Sequence, residues 1–469
     1  MTFIETFVNF ANDILWSYVL IVLLVGLGIL FTLKTGFVQL RMLPEMFRLL
    51  KEGVGQKADA GVSSFQAFCI STASRVGVGN IAGVAIAITT GGPGSIFWMW
   101  IIAIIGSATG FIESTLAQIY KVPAGDNGFR GGPAYYIKNA LNKPMIAALF
   151  AVLISITFRL IFNSVQANTI AVGLYAAYGL NRMVCGAILG ILTAVIIFGG
   201  VRRIASFTEW LVPIMAGAYI ILAGFITLVN IEMIPAMFSE IISSAFNMNA
   251  AVGGTIGAAV LAGMKRGLFS NEAGMGSVPN AAAAAYATHP VKQGLIQAFG
   301  VFVDTLMVCS ASAFIILLSG QQHVSKATGI ELAQMALTYH IGSIADTVLS
   351  VMVFMFAFSS IVGNYYYGES NISFLKPNPI YLLVFRVMVV GMVVFGSVAK
   401  VALVWDMADL FMALMAITNL GSIAFLAKYA YIALDDYIAQ KRAGVVEPVF
   451  DSKIMPDKTG VHCWDQVDK

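Results

Sequence analysis

Residues 61–90 read GVSSFQAFCISTASRVGVGNIAGVAIAITT, and this stretch decides the fold. It is longer than the roughly 20 apolar residues that a bilayer crossing needs. Its middle, however, carries Ser74, Arg75, Gly77, Gly79 and Asn80, with Gly83 just after. Each glycine costs a helix interior about 1 kcal/mol relative to alanine. Backbone at membrane depth goes unpaired only where it lines a cavity or is buried in protein. The stretch therefore predicts a helix that breaks half-way and offers free N–H and C=O groups to a ligand. Residues 265–277, KRGLFSNEAGMGS, repeat the pattern far downstream. A pair of interrupted helices in two halves of a chain points to the binding site of a secondary transporter.

The rest of the composition agrees. The chain has 469 residues, 59% hydrophobic and 11% charged, with mean hydropathy +0.85. Soluble domains carry about 25% charged residues, so an all-α polytopic membrane protein is expected. A net charge of +3 gives no sign of a nucleic-acid partner. The N-terminus lacks a basic region, so no cleaved signal peptide is expected. Cys69, Cys185, Cys309 and Cys463 are too scattered for a disulfide framework or a zinc site.

Apolar runs predict eleven spans, at 15–33, 62–90, 95–120, 144–178, 182–200, 207–229, 250–287, 291–319, 342–366, 378–398 and 403–431. Lys and Arg concentrate on the cytoplasmic side of membranes. With the N-terminus outside, nineteen of the 27 fall on the inner side, three on the outer side and five within spans. Setting the first span aside leaves two groups of five, each led by a broken helix. Five is odd, so the groups enter from opposite sides as an inverted repeat. The expected units are residues 1–60 (first span and a basic amphipathic surface segment), 61–231, 232–440, and a cytoplasmic tail at 441–469. Loop 122–136 reads as ordered or re-entrant, 320–341 as a polar outer loop with one short helix, and 443–469 as polar without a fold signal.

SRVGVGNIAG (74–83), FRGGPAYYI (129–137) and KRGLFSNEAGMGS (265–277) resemble the alanine or glycine:cation symporter family, over nearly the whole chain. That family belongs to the larger amino acid-polyamine-cation group with the bacterial leucine transporter fold. In those transporters the first break reads A-V-G-L-G-N, matched by Arg75-Val76-Gly77-Val78-Gly79-Asn80 except at the first position. The second reads F-T-x-S-x-G-F-G, matched by Phe269 to Gly276 with Ser270, Glu272 and Met275 substituted. The resemblance implies sodium-coupled uptake of alanine or glycine, with a proton as the alternative ion. It implies no organic cofactor and no obligatory protein partner. The partners are the amino acid and the lipid of the cell membrane.

The resemblance assigns roles to residues. The amides of Val78 and Gly79, with Asn80, would receive the substrate carboxylate, as helix N-termini do for anions. Close helix packing is the other use of Gly79 and Gly83. Carbonyls of Ala73 and Val76 with the hydroxyls of Ser359 and Ser360 would hold sodium, although such serines also bond back to their own helix. Asn80 and Ser270 would hold a second ion, where Arg75 stands in the position of a carbonyl ligand. Gln166, on the long fourth span, would contact the substrate. Carbonyls from Phe269 through Asn271 to Ala273 would meet its ammonium beside Gly274, and Phe269 and Met275 would wall its side chain. Glu272 has three open readings: an ion pair with Arg75, Lys265 or Arg266, a contact with the ammonium, or a proton carrier. Asp304, Glu369 and Asp406 read as pairing with cations near the membrane faces.

Two other classes fit less well. A channel usually repeats its filter by symmetry, whereas this chain has two unlike breaks. No Walker A, H-E-x-x-H or G-x-S-x-G motif is present, so a pump or a membrane enzyme is not indicated.

Overall fold

The computed structural model describes residues 3–55, 60–125, 128–198, 200–246, 255–375 and 378–464. Among these, eight helices are long and apolar enough to cross a membrane: Glu5–Lys34, Gly94–Ile119, Pro144–Tyr178, Ile204–Val229, Pro290–Ser319, Ile330–Leu375, Pro379–Val398 and Val401–Arg442. A ninth span is the pair Ser64–Arg75 and Val78–Gly91, bent by 57° at its break. Arg182–Ile197 is apolar but shorter. The expected span at 250–287 begins among residues outside the described set, and is seen from Thr255 onward.

The first broken helix is defined at both ends by local chemistry. Ser63 Oγ accepts the Gln66 N–H and Gln66 Oε1 accepts the Ser63 N–H, both at 3.1 Å. This reciprocal cap satisfies two donors that a helix start leaves open. At the other end Val76 swings out of helical geometry, Gly77 is extended, and Val78–Asn80 form one 3-10 turn before Ala82–Gly91. Close approach requires the glycines here. A Cβ on Gly77 would stand 2.3 Å from Ser360 Oγ, and one on Gly79 would stand 2.7 Å from the Phe269 ring.

The second break is made differently. After Thr255–Asn271, Glu272, Gly274 and Gly276 all have positive φ, at 58°, 87° and 82°, and Pro279–Ala284 resumes the helix. The two broken helices lie side by side in opposite directions. Val62 donates its N–H to Ala284 O (3.2 Å) and Tyr286 donates to Val62 O (3.0 Å). At the far end, a Cβ on Gly91 would touch Ala258 and Ala262.

Two peripheral segments differ from expectation. The tail is folded against the body as far as Trp464. Phe450 donates its N–H to Thr288 O (2.9 Å), Lys292 pairs with Glu447, and Trp464 Nε1 donates to Gln118 O (3.0 Å). Phe450, Met455, Val461 and Trp464 are buried, and these scattered apolar residues hold a segment that is polar on average. Segment 320–341 contains two helices, Gln321–Val324 and Ile330–Ile341, because Ile330, Ala333 and Leu337 line one apolar face. Within loop 122–136, the strands Val122–Ala124 and Gly128–Arg130 pair antiparallel, with Pro123 opposite Phe129. The amphipathic segment forms helix Leu43–Gly53, held to the last long helix by Tyr437 donating to Glu45 Oε1 (2.5 Å).

Candidate functional site

The two breaks, the middle of helix 345–375 and a wide turn at Phe302–Cys309 form one buried polar centre. Wide turns of this kind inside helices recur at functional sites.

Val78 donates its N–H to Gln166 Oε1 at 3.0 Å, so two predicted substrate residues meet directly. Gly77 donates to Asn80 Oδ1 (2.9 Å). Phe269 closes over Gly79, between the rings of Phe162 and Trp405 at 4.7 and 4.9 Å. Beside this, Ser360 Oγ lies 2.9 Å from Ala73 O, 3.1 Å from Ser74 O and 3.5 Å from Val76 O. Ser359 Oγ lies 3.5 Å from Ala73 O. Both hydroxyls also reach Phe356 O, at 3.0 and 2.8 Å.

Asn80 and Ser270 come together through a carboxylate that the sequence reading placed near a membrane face. Asp304 is fully buried in the wide turn. Its Oδ1 accepts from Asn80 Nδ2 (2.6 Å), and its Oδ2 accepts from Ser270 (2.7 Å) and Thr305 (2.9 Å). Asn271 Nδ2 donates to Thr305 Oγ1 (3.2 Å).

The second break faces two ways. Glu272 Oε1 lies 2.7 Å from Ser74 Oγ on the first break, and Oε2 accepts from Ser277 (2.5 Å). Ala273 and Gly274 turn instead to helix 94–119, where Ala273 meets Gly106 and Gly274 meets Thr109. Met275 is fully buried. Glu113, on the same helix 94–119, accepts the N–H of Gly274 (3.1 Å) and Gly276 (3.2 Å) and the Asn419 amide (2.7 Å). Tyr136 donates to Asn419. The sequence reading passed over Glu113. Its signal was an acid inside an apolar helix, which by itself marks a functional candidate.

The expected ion pairs of Glu272 are absent among the described residues. Arg75 Nη1 donates to Gln297 O (3.2 Å), and its Nε and Nη2 meet no acceptor among the described residues. Lys265 and Arg266 pair with Asp409, at 3.7 and 2.6 Å. The pairing follows from geometry: helix 255–271 turns both cations toward the last long helix, away from the break.

Apart from Tyr136, on the short helix 133–139, the polar groups at this centre come from the long apolar helices and the two broken ones. The profile of the sodium:alanine symporter family matches residues 1–452. The chain belongs to this family.

Among the family's relatives, the probable sodium/glutamine symporter GlnT of Bacillus subtilis is 53% identical over 98% of this chain and 96% of its own length. The amino-acid carrier protein AlsT of the same organism is 49% identical, over 99% and 98%. The sodium/alanine symporter AgcS of Methanococcus maripaludis is 35% identical, over 90% and 94%. A solved manganese transporter from Eremococcus coleocola (H236A mutant) superposes with a TM-score of 0.50 at 12% identity, over 85% of this chain and 82% of that one. That likeness concerns the helical architecture alone. Family membership makes this chain a multi-pass transporter of the sodium-coupled amino-acid symport class.

Proposed function

We propose that this protein takes up small neutral amino acids, alanine or glycine, together with sodium, by alternating access across the cell membrane. The observation that carries the reading is the cluster of oxygens around Ser360. Carbonyls of Ala73 and Val76 belong to the first break, while Ser359 and Ser360 stand on a helix from the other half of the chain. Sodium is a hard cation and takes oxygen ligands, by the logic that governs calcium. Phe356 O accepts the hydrogen of either hydroxyl, which leaves their lone pairs free for the ion. One ion between the two halves would favour one side of the transport equilibrium through its differential affinity.

In this reading the substrate carboxylate meets the Val78 and Gly79 amides, with Gln166 beside it. Its ammonium meets carbonyls at the end of helix 255–271, the negative end of that helix's dipole. Phe269, wedged onto Gly79, limits the side chain to a small one. Asp304, Ser270 and Thr305 offer a second oxygen site, with a carboxylate to neutralise a cation, and Asn80 orients that carboxylate through its Nδ2.

The same reading counts eleven spans. The short helix 182–197 and the second broken helix complete the nine found by length and composition, and ten of them form a 5+5 inverted repeat with the leucine transporter fold. The opposite directions of the two broken helices support the inversion. The Lys and Arg bias supports an outer N-terminus and an inner C-terminus.

The test is uptake by proteoliposomes containing the purified protein, with labelled alanine, glycine and glutamine. Saturable alanine or glycine uptake that requires an inward sodium gradient supports the reading. Uptake of glutamine alone would move the substrate to that of the Bacillus relative. Uptake indifferent to sodium would overturn the coupling.

A further inference from the structure

The start of the first broken helix and the turn that follows the second are joined backbone to backbone. Val62 donates to Ala284 O (3.2 Å), Tyr286 donates to Val62 O (3.0 Å), and a Cβ on Gly61 would stand 2.5 Å from Ala284 O. These are the ends that the proposed topology places inside. For a substrate to leave on that side, this bridge must part.

The turn is backed by the end of helix 94–119. Gln118 Nε2 donates to Ala282 O and to Ala285 O (2.9 Å). Lys121 Nζ donates to Gln118 Oε1 (2.9 Å) and Ala285 O (3.1 Å). Lys121 is buried and meets no carboxylate among the described residues. A buried cation is costly unless its hydrogens are taken up, and aromatic faces offset part of that cost. One such face is Phe129 at 4.1 Å; the other is Trp464 of the tail at 4.8 Å. The tail is fastened to the same side of the bridge. Trp464 Nε1 donates to Gln118 O (3.0 Å) and Cys463 to Lys121 O (3.3 Å). Phe450 donates its N–H to Thr288 O (2.9 Å), Thr288 Oγ1 donates to Pro448 O (3.0 Å), and Glu447 pairs with Lys292.

We propose that residues 444–464 are an autoinhibitory strap that holds this inner gate shut. With the tail docked, Trp464 keeps water from Lys121, and Lys121 keeps Ala285 where Val62 closes on its neighbours. With the tail released, the ammonium is hydrated and lets go of Ala285 O, and the bridge loses its backing. The strap is built to release. Phe450, Ser452, Met455, Val461 and Trp464 anchor it, while Val446, Glu447, Asp451 and Lys453 between and before them are exposed. A segment with few buried contacts opens at low free energy. Because the tail fits the closed gate better than an open one, its docking shifts the equilibrium away from the inward-open state. This inference rests on the alternating-access reading and adds a regulated step to it.

The test is thiol labelling by a membrane-impermeant maleimide of the purified protein in lipid nanodiscs, without substrate. The background carries Cys463→Ser and Val62→Cys, and each thiol is quantified by mass spectrometry. Native Cys69 is fully buried and lies two turns further into the first broken helix than Val62. The full-length tail is compared with a chain ending at Ala443 and with the double variant Phe450→Ala, Trp464→Ala. Both changes are expected to speed labelling at position 62 and at Cys69 at least fivefold. Equal rates with the tail removed would overturn the proposal. Faster labelling at position 62 alone would overturn it too, since that is fraying of the bridge without opening of the gate. If the shortened chain does not fold, the double variant decides, with release of its tail read from trypsin cleavage at Lys453 and Lys458. A released tail with unchanged thiols contradicts the strap, and a tail that stays docked without both rings contradicts the anchoring on which it rests. Absence of sodium-dependent uptake by the wild type would instead defeat the symporter reading, and the labelling, which requires no transport, would still decide whether the tail closes the gate.

Discussion

Gln166 holds the Val78 amide: its Oε1 accepts that N–H at 3.0 Å, and the same N–H is the donor a substrate carboxylate would require. An incoming carboxylate must share or displace this bond, and the Gln166 amide can turn to donate to it. Gln166→Glu keeps an acceptor for Val78 but places a negative charge where the carboxylate would arrive. Substrate affinity is expected to fall at least tenfold, about 1.4 kcal/mol, with sodium binding retained. Calorimetric titration with alanine or glycine checks this. Unchanged affinity would remove Gln166 from the carboxylate subsite.

Phe269 sets the size of the pocket. Its ring stands against Gly79 between Phe162 and Trp405. Phe269→Ala, or the milder Phe269→Leu, should admit leucine or methionine at the expense of alanine. A methylene shifts hydrophobic selectivity by about 1–3 kcal/mol, so the expected result is partial relaxation. Competition of uptake by a panel of amino acids reads it out. The same panel on Met275→Ala tests whether Met275 shares the wall.

Asp409 joins the last long helix to helix 255–271. It accepts a charge-assisted bond from Arg266 (2.6 Å) with Lys265 nearby, and Trp16 Nε1 donates to its carbonyl. Removing one partner of a buried ion pair leaves the other charge stranded, at about 3–5 kcal/mol. Asp409→Asn should lower thermal stability in detergent by that order while leaving the sodium requirement of surviving transporters unchanged. A variant of wild-type stability would show that water or lipid headgroups already compensate the two cations.

The folded tail makes a prediction that also tests orientation. Lys121 Nζ lies 4.8 Å from the Trp464 ring, and Cys463 donates to Lys121 O. Trp464→Ala should release the segment and speed labelling of Cys463 severalfold, since Cys69, Cys185 and Cys309 are buried. An impermeant reagent should reach Cys463 in inside-out vesicles and not in intact cells. Labelling of intact cells would reverse the proposed orientation. Burial pulls the Lys121 ammonium down from 10.5 to about 7. With Trp464 and Cys463 docked over it, Lys121 therefore holds its proton less tightly than when the tail is released, and docking should tighten as pH rises from about 7 toward the ordinary lysine value. Limited proteolysis across that range measures it.

Both breaks are legible in the sequence because glycine, asparagine and charge inside an apolar run contradict an ordinary span. What the sequence does not show is why the glycines are needed. Gly77 and Gly79 yield to Ser360 and Phe269, whose positions depend on the tertiary fold, whereas Gly274 and Gly276 serve a left-handed backbone. Glu113 was hidden for the same reason: its partners at Gly274 and Asn419 lie 161 and 306 residues away. Asp304 reads as a peripheral acid until the wide turn brings it to Asn80 and Ser270. The tail escaped notice because its few apolar anchors are diluted by polar neighbours, and average composition is a poor guide to a segment held at scattered points.

The central claim is that one sodium ion joins the first break to helix 345–375. It is tested most directly by the sodium dependence of alanine or glycine binding to wild type, Ser360→Ala and Ser359→Ala. Ser360 lies 2.9 Å from Ala73 O and Ser359 lies 3.5 Å from it, so the Ser360 change should act more strongly. Linkage is reciprocal: sodium raises substrate affinity by the factor that substrate raises sodium affinity. The half-saturating sodium concentration is expected to rise severalfold or more in Ser360→Ala and less in Ser359→Ala, with substrate binding recovered at saturating sodium. Wild-type sodium dependence in both variants would contradict the account.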